Sequence, residues 1–414
     1  MKRRMMPMVV ALGLALAACG ETEAESKGAA EAPHAEEKHQ GEGASDAEEA
    51  VRPESRLAIT HDGGITVLRA GDGEVVGEIE LDGFLRLNQA GDGRHALVTT
   101  GKGFEVLDLG AWTQAHGDHG HSYTAEPRMT GTVFPAELAG HAVVHADRTV
   151  LFADGTGEIT AFDPHHLADG EVETTEFATE HAHHGVALIR ADGALVATDG
   201  TTDERSSVTV RAVDGEEIAR YDDCPGVHGE AVAGETVAFG CEDGVLLLKG
   251  DEFTKVDAPG DYARIGNLAG SDDSPVLLGD YKVDPDAELE RPTRVTLIDT
   301  ETEKLRLVDL GASYSFRSLG RGAGGEALVL GTDGGLRVID PATGKIDRTV
   351  KVTAPWREPS DWQQPRPTLR VVGEIAWVSE PKSKQVHAVD VVGGRVVASW
   401  DLPQVPNELL GVTG

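Results

Sequence analysis

The strongest constraint on the fold is a repeat of short apolar strands that runs from about residue 56 to the C-terminus. Each copy contains a glycine turn, an alternating strand, another turn and a second strand. The copies start 37 to 55 residues apart, near Gly64, Gly103, Glu158, Ser207, Gly244, Arg294, Gly335 and Gln385. Asp-Gly occurs eleven times, and this dipeptide between alternating apolar residues is typical of tight hairpins.

An all-strand repeat of this length predicts a β-propeller. Eight copies predict eight blades, with seven as the alternative if one copy is an insertion. The segment Arg56–His61 begins in the middle of a blade, with no inner strand before it. The C-terminal segment Glu408–Val412 is the candidate for that missing strand, which would close the ring. We therefore predict an all-β propeller domain over residues 53–414.

Residues 1–18 have the pattern of a bacterial lipoprotein signal. Three basic residues precede an apolar stretch that is too short to span a bilayer as a helix. Small residues then lead directly to Cys19, so cleavage before Cys19 and acylation of its thiol would tether the chain to a membrane. The alternative is an ordinary signal peptide with an incidental cysteine. We expect a protein on the extracytoplasmic face of the cell membrane, held there by its N-terminal lipid.

Residues 19–52 are predicted to be a disordered acidic tether that carries the lipidated cysteine. Residues 20–52 contain no Leu, Ile, Phe or Trp, so they cannot bury enough apolar area to offset the entropy of ordering. They hold His34 and His39. These are either two polar tail residues or a weak site for metal capture.

The charge of the chain excludes one large class of partners. The formal net charge is −34, and a chain this acidic is not expected to bind nucleic acid. Acidity favours solubility and concentrates cations near the surface, but it does not by itself specify a metal site. We expect a monomer.

Two cysteines, Cys224 and Cys241, remain if Cys19 is acylated. An oxidising compartment favours their pairing, and the closed loop would stabilise the fold by roughly 3 kcal/mol. The alternative is a pair of metal-binding thiolates, although no CxxC spacing supports it.

The densest group of metal-binding side chains lies in one six-residue stretch. It contains His116, Asp118, His119 and His121. Side chains at positions i and i+2 of an extended segment point to the same side, so His119 and His121 can converge on one ion. Imidazole with one carboxylate suits Zn²⁺, while copper and nickel also bind imidazole. The alternative interpretation is a solvated polar loop.

Two further histidine clusters stand at what look like the starts of inner strands. One contains His184, and the other contains His228. Inner strands of distant blades meet around the central mouth of a propeller. We therefore predict that the three clusters can meet around this mouth and form one composite metal site. The secondary candidates are His183, His228 and His145. His141 and His145 are spaced so that one strand would place them on the same side.

An ordered set of motifs resembles the AztD zinc metallochaperones. The motifs are Trp112-x-x-x-His116-Gly-Asp118-His119-x-His121, then His145-Ala-Asp-Arg-Thr-Val, then His183-His184-Gly185, then Cys224-Pro-Gly-Val-His228-Gly-Glu230. That family consists of secreted β-propellers that bind zinc and pass it to the solute-binding protein of an ABC importer. The resemblance implies that the zinc-site histidines fall on His119, His121 and His184, with His116 and Asp118 nearby. The chain departs from the family in its tail, which is acidic and poor in histidine.

Two other classes of function stay open. One is a metal-dependent hydrolase or lactonase, which needs an open metal position and a general base such as Asp118 or Glu230. The other is a metal-free interaction scaffold. No Ser-His-Asp order, HExxH motif or phosphate loop is present. The resemblance to the AztD family implies a zinc chaperone that is not an enzyme, and it implies the solute-binding protein of a zinc ABC transporter as the partner.

Overall fold

The computed structural model of the protein describes residues 46–117 and 119–414. The predictions for the signal, Cys19, the two tail histidines and Asp118 lie outside these ranges. The described residues form eight four-stranded antiparallel sheets and one three-stranded sheet. The prediction of an all-β propeller is confirmed, and the eight four-stranded sheets match the eight repeat copies.

The strands of the first half of the chain are β1 (Glu48–Ala50), β2 (Arg56–His61), β3 (Gly64–Arg69), β4 (Val75–Glu80), β5 (Arg86–Gln89), β6 (His95–Thr100), β7 (Gly103–Asp108), β8 (Ala111–His116), β9 (His119–Thr124), β10 (Arg128–Pro135), β11 (Ala139–His145), β12 (Arg148–Ala153), β13 (Glu158–Phe162), β14 (Thr174–Ala178), β15 (Ala187–Ile189), β16 (Leu195–Gly200) and β17 (Arg205–Arg211). The strands of the second half are β18 (Glu217–Tyr221), β19 (His228–Ala233), β20 (Thr236–Gly240), β21 (Gly244–Lys249), β22 (Glu252–Asp257), β23 (Leu268–Ala269), β24 (Val276–Gly279), β25 (Arg294–Asp299), β26 (Lys304–Asp309), β27 (Leu319–Arg321), β28 (Ala327–Leu330), β29 (Gly335–Ile339), β30 (Ile346–Lys351), β31 (Leu369–Val372), β32 (Ile375–Glu380), β33 (Gln385–Asp390), β34 (Arg395–Asp401) and β35 (Leu409–Val412). A short 3₁₀ helix spans Pro164–Asp169.

Six of the eight sheets are built from four consecutive strands. A seventh has the order β35-β2-β3-β4, so the C-terminal strand supplies the edge that the N-terminal blade lacks. Strand β2 is buried except for its last residue, which explains why it needs a partner on both edges. The predicted closure of the ring by the C-terminal strand is confirmed.

The first strand of each sheet forms the inner wall of the propeller, and in the sheet closed by the C-terminus this strand is β35. Neighbouring first strands contact one another, as β5 does with β11 and β35, and β31 does with β27 and β35. Side chains at the ends of these strands therefore face a common centre, although they come from distant parts of the sequence.

The remaining four-stranded sheet carries an insertion. Its order is β10-β7-β6-β5, and the chain forms the hairpin β8–β9 between its third strand, β7, and its fourth, β10. The short strand β1 pairs with β9 on the edge opposite β8, with Ala50 beside Ser122. The segment Glu48–Ala50, which belongs to the range assigned to the tether, therefore forms a strand that pairs with this hairpin.

The core lies between neighbouring sheets and is made of the alternating apolar residues of the repeat. Leu57, Leu97 and Leu107 are fully buried, and each such side chain contributes roughly 1.5–3 kcal/mol by leaving water. Cys224 and Cys241 form a disulfide, with an S–S distance of 2.05 Å, and both are fully buried. The predicted pairing is confirmed, and the alternative of metal-binding thiolates is not.

Within the two described ranges, no helix combines the length and apolar character needed to cross a membrane.

Candidate metal centres

Three histidines from three consecutive sheets meet at the centre of the propeller. His141 lies in β11, His184 just before β15, and His228 begins β19. All three elements are first strands of their sheets or lead into one. The candidate ligand atoms of the three side chains lie within 4.8 Å of one another. We call these residues the central triad.

Hydrogen bonds from the Nδ1 atom of the ring orient two members of the central triad. His184 Nδ1 lies 2.5 Å from Asp154 Oδ2, and His228 Nδ1 lies 2.6 Å from the carbonyl oxygen of Gly266. An Nδ1–H that donates in this way leaves the Nε2 lone pair free for a metal. The two Nε2 atoms are 3.0 Å apart. Both lone pairs therefore converge on one point.

His141, the third member of the central triad, lies beside the other two rings. The ring centroid of His141 is 5.0 Å from that of His184 and 5.3 Å from that of His228. Its Nδ1 lies 3.9 Å from Glu230 Oε2. The arrangement offers three imidazoles and a nearby carboxylate, which is a donor set that suits Zn²⁺.

Burial keeps two members of the central triad, His141 and His228, in the form that binds metal. It lowers the pKa of His228 to about 3, with a further contribution from the neighbouring His184. Burial, followed by the charges of His228 and His184, holds the pKa of His141 well below its ordinary value. Because only neutral imidazole binds a metal ion, both side chains are ready ligands at neutral pH.

The central triad lines a cavity of about 590 Å³. Glu230 lines the same cavity, and burial raises its pKa to about 7. A carboxyl group in this state is a neutral neighbour for part of the time at neutral pH, and it becomes an anionic one when a cation arrives.

The absence of a side chain at Gly140 leaves space for the contact between Asp154 and His184. A Cβ atom built on Gly140 would lie 2.1 Å from Asp154 Oδ1, so a larger residue there would push the carboxylate away from His184. Asp154 belongs to an Asp-Gly dipeptide, one of eleven in the chain. Sequence reasoning missed its role because nothing distinguishes it from the ten other aspartates that precede a glycine.

A second group of histidines lies on the inserted hairpin. The ligand atoms of His116, His119 and His121 lie within 4.8 Å of one another, and the residues are exposed or half-buried. The register pairs His116 with His119, and the Nε2 atoms of His119 and His121 are 3.2 Å apart. His121 Nδ1 lies 2.8 Å from Glu49 Oε1 on β1. We call this group the hairpin cluster.

The predicted composite site is not formed. The structure groups His184 with His141 and His228, and it leaves His119 and His121 with His116. The physical reason is topological, because the hairpin leaves the sheet after its third strand and so does not belong to the inner wall. The local prediction that His119 and His121 converge is correct.

The three secondary candidates for metal ligands have different positions in the structure. His228 belongs to the central triad, whereas His183 has a structural role. His183 is buried, its Nδ1 contacts the carbonyl oxygen of His181 at 3.0 Å, and its Nε2 contacts that of Thr198 at 3.1 Å. Neither ring nitrogen is therefore available to a metal.

His145 belongs to neither histidine group, so the expected pairing of His141 and His145 does not occur. Strand β11 has a register shift between Ala139 and Ala142. A bulge of this kind re-aims the side chain it contains, and it turns His141 toward the cavity.

No protein-family model matches the chain. A curated protein named zinc chaperone AztD, from Citrobacter koseri (strain ATCC BAA-895 / CDC 4225-83 / SGSC4696), is 25% identical over 362 residues, which cover 84% of each chain. That relative is named as a chaperone and not as an enzyme.

Solved structures of that protein have the same fold. The crystal structure of Citrobacter koseri AztD matches with a TM-score of 0.77 and 22% identity, covering 88% of this chain and 99% of that one. The structure of apo AztD from Citrobacter koseri matches with a TM-score of 0.75 and 22% identity, covering 87% and 99%. Over most of its length, the chain therefore resembles the AztD zinc chaperones in sequence and in fold.

Proposed function

We propose that the protein is an extracytoplasmic zinc chaperone that holds Zn²⁺ at the central triad. The observation that carries the proposal is the pair of Nε2 atoms 3.0 Å apart on His184 and His228, each ring fixed through its Nδ1. Three imidazoles with a carboxylate nearby form a donor set that suits Zn²⁺. The similarity to a zinc chaperone supports zinc as the cargo.

The hairpin cluster suits the exchange of zinc with a partner. Its side chains are exposed or half-buried, so another protein's ligands can reach an ion bound there. The central triad, by contrast, lies inside a cavity. We assign storage to the central triad and delivery to His116, His119 and His121. The solute-binding protein of a zinc ABC transporter is the proposed recipient, on the strength of the resemblance to AztD.

The proposed location follows from the signal pattern of residues 1–18. A lipid on Cys19 would hold the chain on the extracytoplasmic face of the membrane, as a monomer, near a membrane-bound importer. A chaperone confined in this way meets its recipient at a high local concentration.

Direct transfer tests the function. Zinc-loaded protein is mixed with a metal-free zinc solute-binding protein in the presence of a chelator that competes for free zinc. The proposal expects the recipient to fill faster than zinc is released to the chelator alone. Equal rates would mean that zinc passes through solution, and the chaperone function would be wrong. The His184→Ala variant is the control that lacks the storage site.

A further inference from the structure

The central cavity contains more positive charge than its own carboxylates neutralise, in a protein whose formal net charge is −34. The cationic side chains that line it are Arg86, Arg264, Lys282 and Arg370. The acidic side chains that line it are Glu230 and Asp280. Burial raises the pKa of Glu230 to about 7, which reduces its negative charge at neutral pH.

Two of the four cations have a carboxylate of their own. Arg264 Nη1 lies 3.0 Å from Glu242 Oε1. Lys282 Nζ lies 3.7 Å from Asp280 Oδ2. These two side chains are compensated and need no further partner.

Arg86 and Arg370 differ, because neither has a carboxylate of its own in the part of the chain that the structure describes. Arg86 Nε is 4.0 Å from Glu408 Oε1, but the same oxygen is 2.7 Å from Nη2 of the buried Arg317. Arg370 donates from Nη1 to the carbonyl oxygen of Leu369 at 2.9 Å. No carboxylate in the described ranges forms an ion pair with it. Arg86 and Arg317 therefore share one carboxylate, and Arg370 has none among the described residues.

Both side chains come from the inner wall. Arg86 begins β5 and Arg370 lies in β31, so their charges face the same cavity as the central triad. Burial lowers the pKa of Arg370, which is the mark of a guanidinium removed from water. A cation in this position is stabilised most by an anion that enters the cavity with it.

We propose that Arg86 and Arg370 bind an oxyanion, a carboxylate or a phosphate, in the central cavity. A planar guanidinium offers paired N–H donors that match the oxygens of both groups. The volume of about 590 Å³ lies within the range of small-molecule sites. The site is separate from the zinc ligands and goes beyond the proposed zinc chaperone function.

The oxyanion site and the central triad are coupled through charge. Arg86 lines the same cavity as the three histidines of the central triad, so its positive charge opposes a Zn²⁺ ion there. A bound oxyanion offsets that charge. Zinc affinity should therefore rise when the oxyanion is present, and oxyanion affinity should rise by the same factor when zinc is present.

Calorimetry on the metal-free protein tests the proposal without relying on zinc binding. Succinate and inorganic phosphate are titrated separately in a low-chloride buffer, and one of them should bind at a single saturable site. Arg370→Met should weaken that binding at least tenfold. Arg148→Met is the control, since Arg148 is exposed and pairs with Asp163 elsewhere. A response to succinate alone identifies a carboxylate site, and a response to phosphate alone identifies a phosphate site.

Absence of binding by either anion overturns the proposal, as does unchanged binding in Arg370→Met. If Arg370→Met does not fold, Arg86→Met replaces it, because the Arg86 side chain is 39% exposed and its loss disturbs less packing. Thermal unfolding supplies the second readout. The bound anion should raise the melting temperature of the parent protein by mass action and should raise that of the folded variant less. An equal rise in both proteins also overturns the proposal.

Discussion

At the scale of single residues, the central triad depends on atoms that never touch the metal. Asp154 and the carbonyl oxygen of Gly266 set which ring nitrogen of His184 and His228 faces the cavity. Outer contacts of this kind fix the tautomer and increase the basicity of the ligand. The affinity of the site for zinc is therefore expected to respond to residues outside it.

Asp154→Asn should weaken zinc binding at the central triad by about 10–100-fold, the usual effect of removing such a carboxylate. The amide also permits the opposite tautomer of His184. Competition with a chelating dye measures the affinity. Asp72→Asn is a matched control, because Asp72 also belongs to an Asp-Gly turn and pairs with Arg69 at the surface. Equal losses in the two variants would contradict the assigned role.

Acid should destabilise the metal-free protein partly through His228. Its pKa is about 3 in the folded protein and about 6.5 in the unfolded chain. As the pH falls below 6.5, the unfolded chain takes up the proton first, so the folded state loses relative stability. Between pH 7.5 and pH 5, this loss should be on the order of 1–2 kcal/mol.

Urea unfolding of the metal-free parent and of His228→Gln at the two pH values isolates this contribution. The variant lacks the titrating group, so its free energy of unfolding should fall less than that of the parent. Identical falls would show that His228 does not titrate as described.

At the scale of elements, one inserted hairpin separates two metal groups that the sequence suggested were one. Strands β8 and β9 stand outside the four-stranded sheet that they interrupt. The strand β1 then adds Glu49 beside His121. Each group is therefore a separate unit that can be altered without disturbing the other.

The double change His119→Ala and His121→Ala should remove zinc from the hairpin cluster and leave the central triad loaded. Metal analysis is expected to show one zinc ion fewer per chain, and calorimetry is expected to show the second binding event unchanged. The control is His165→Ala with His166→Ala, an exposed pair in the 3₁₀ helix. Loss of all zinc from the hairpin variant would contradict the separation of the two groups and would support the composite site predicted from the sequence.

At the scale of the whole molecule, the central triad joins three consecutive sheets. Its members come from the sheets that begin with β11, β15 and β19. A ligand that binds only the folded state stabilises it by about 2.7 kcal/mol at one hundred times its dissociation constant. Zinc at this position therefore acts on the stability of the propeller and not of one hairpin.

Zinc should raise the melting temperature of the parent protein and of the hairpin double variant by similar amounts. It should raise that of His184→Ala much less, because the ion then loses a ligand from one of the three sheets. Differential scanning calorimetry with and without zinc measures the shifts. A shift that disappears in the hairpin variant, and persists in His184→Ala, would contradict the placement of the main site.

Much of the fold could be predicted from local pattern. The spacing of the repeat and its Asp-Gly turns determined an all-β propeller, and the unpaired start at Arg56 determined that the C-terminal strand closes it. Cys224 and Cys241 were assigned to each other from the expected compartment. These features depend on periodicity and chain order, which are present in the sequence itself.

The membership of the metal centres was decided only by the tertiary structure. Nothing local distinguishes His184, a ligand candidate, from its neighbour His183, whose ring nitrogens are occupied by contacts with His181 and Thr198. The bulge that aims His141 inward, and the choice of Asp154 among many turn aspartates, depend on strands far away in sequence. The sequence alone determined which residues are chemically able to bind zinc, while the order of strands around the ring decided which of them meet.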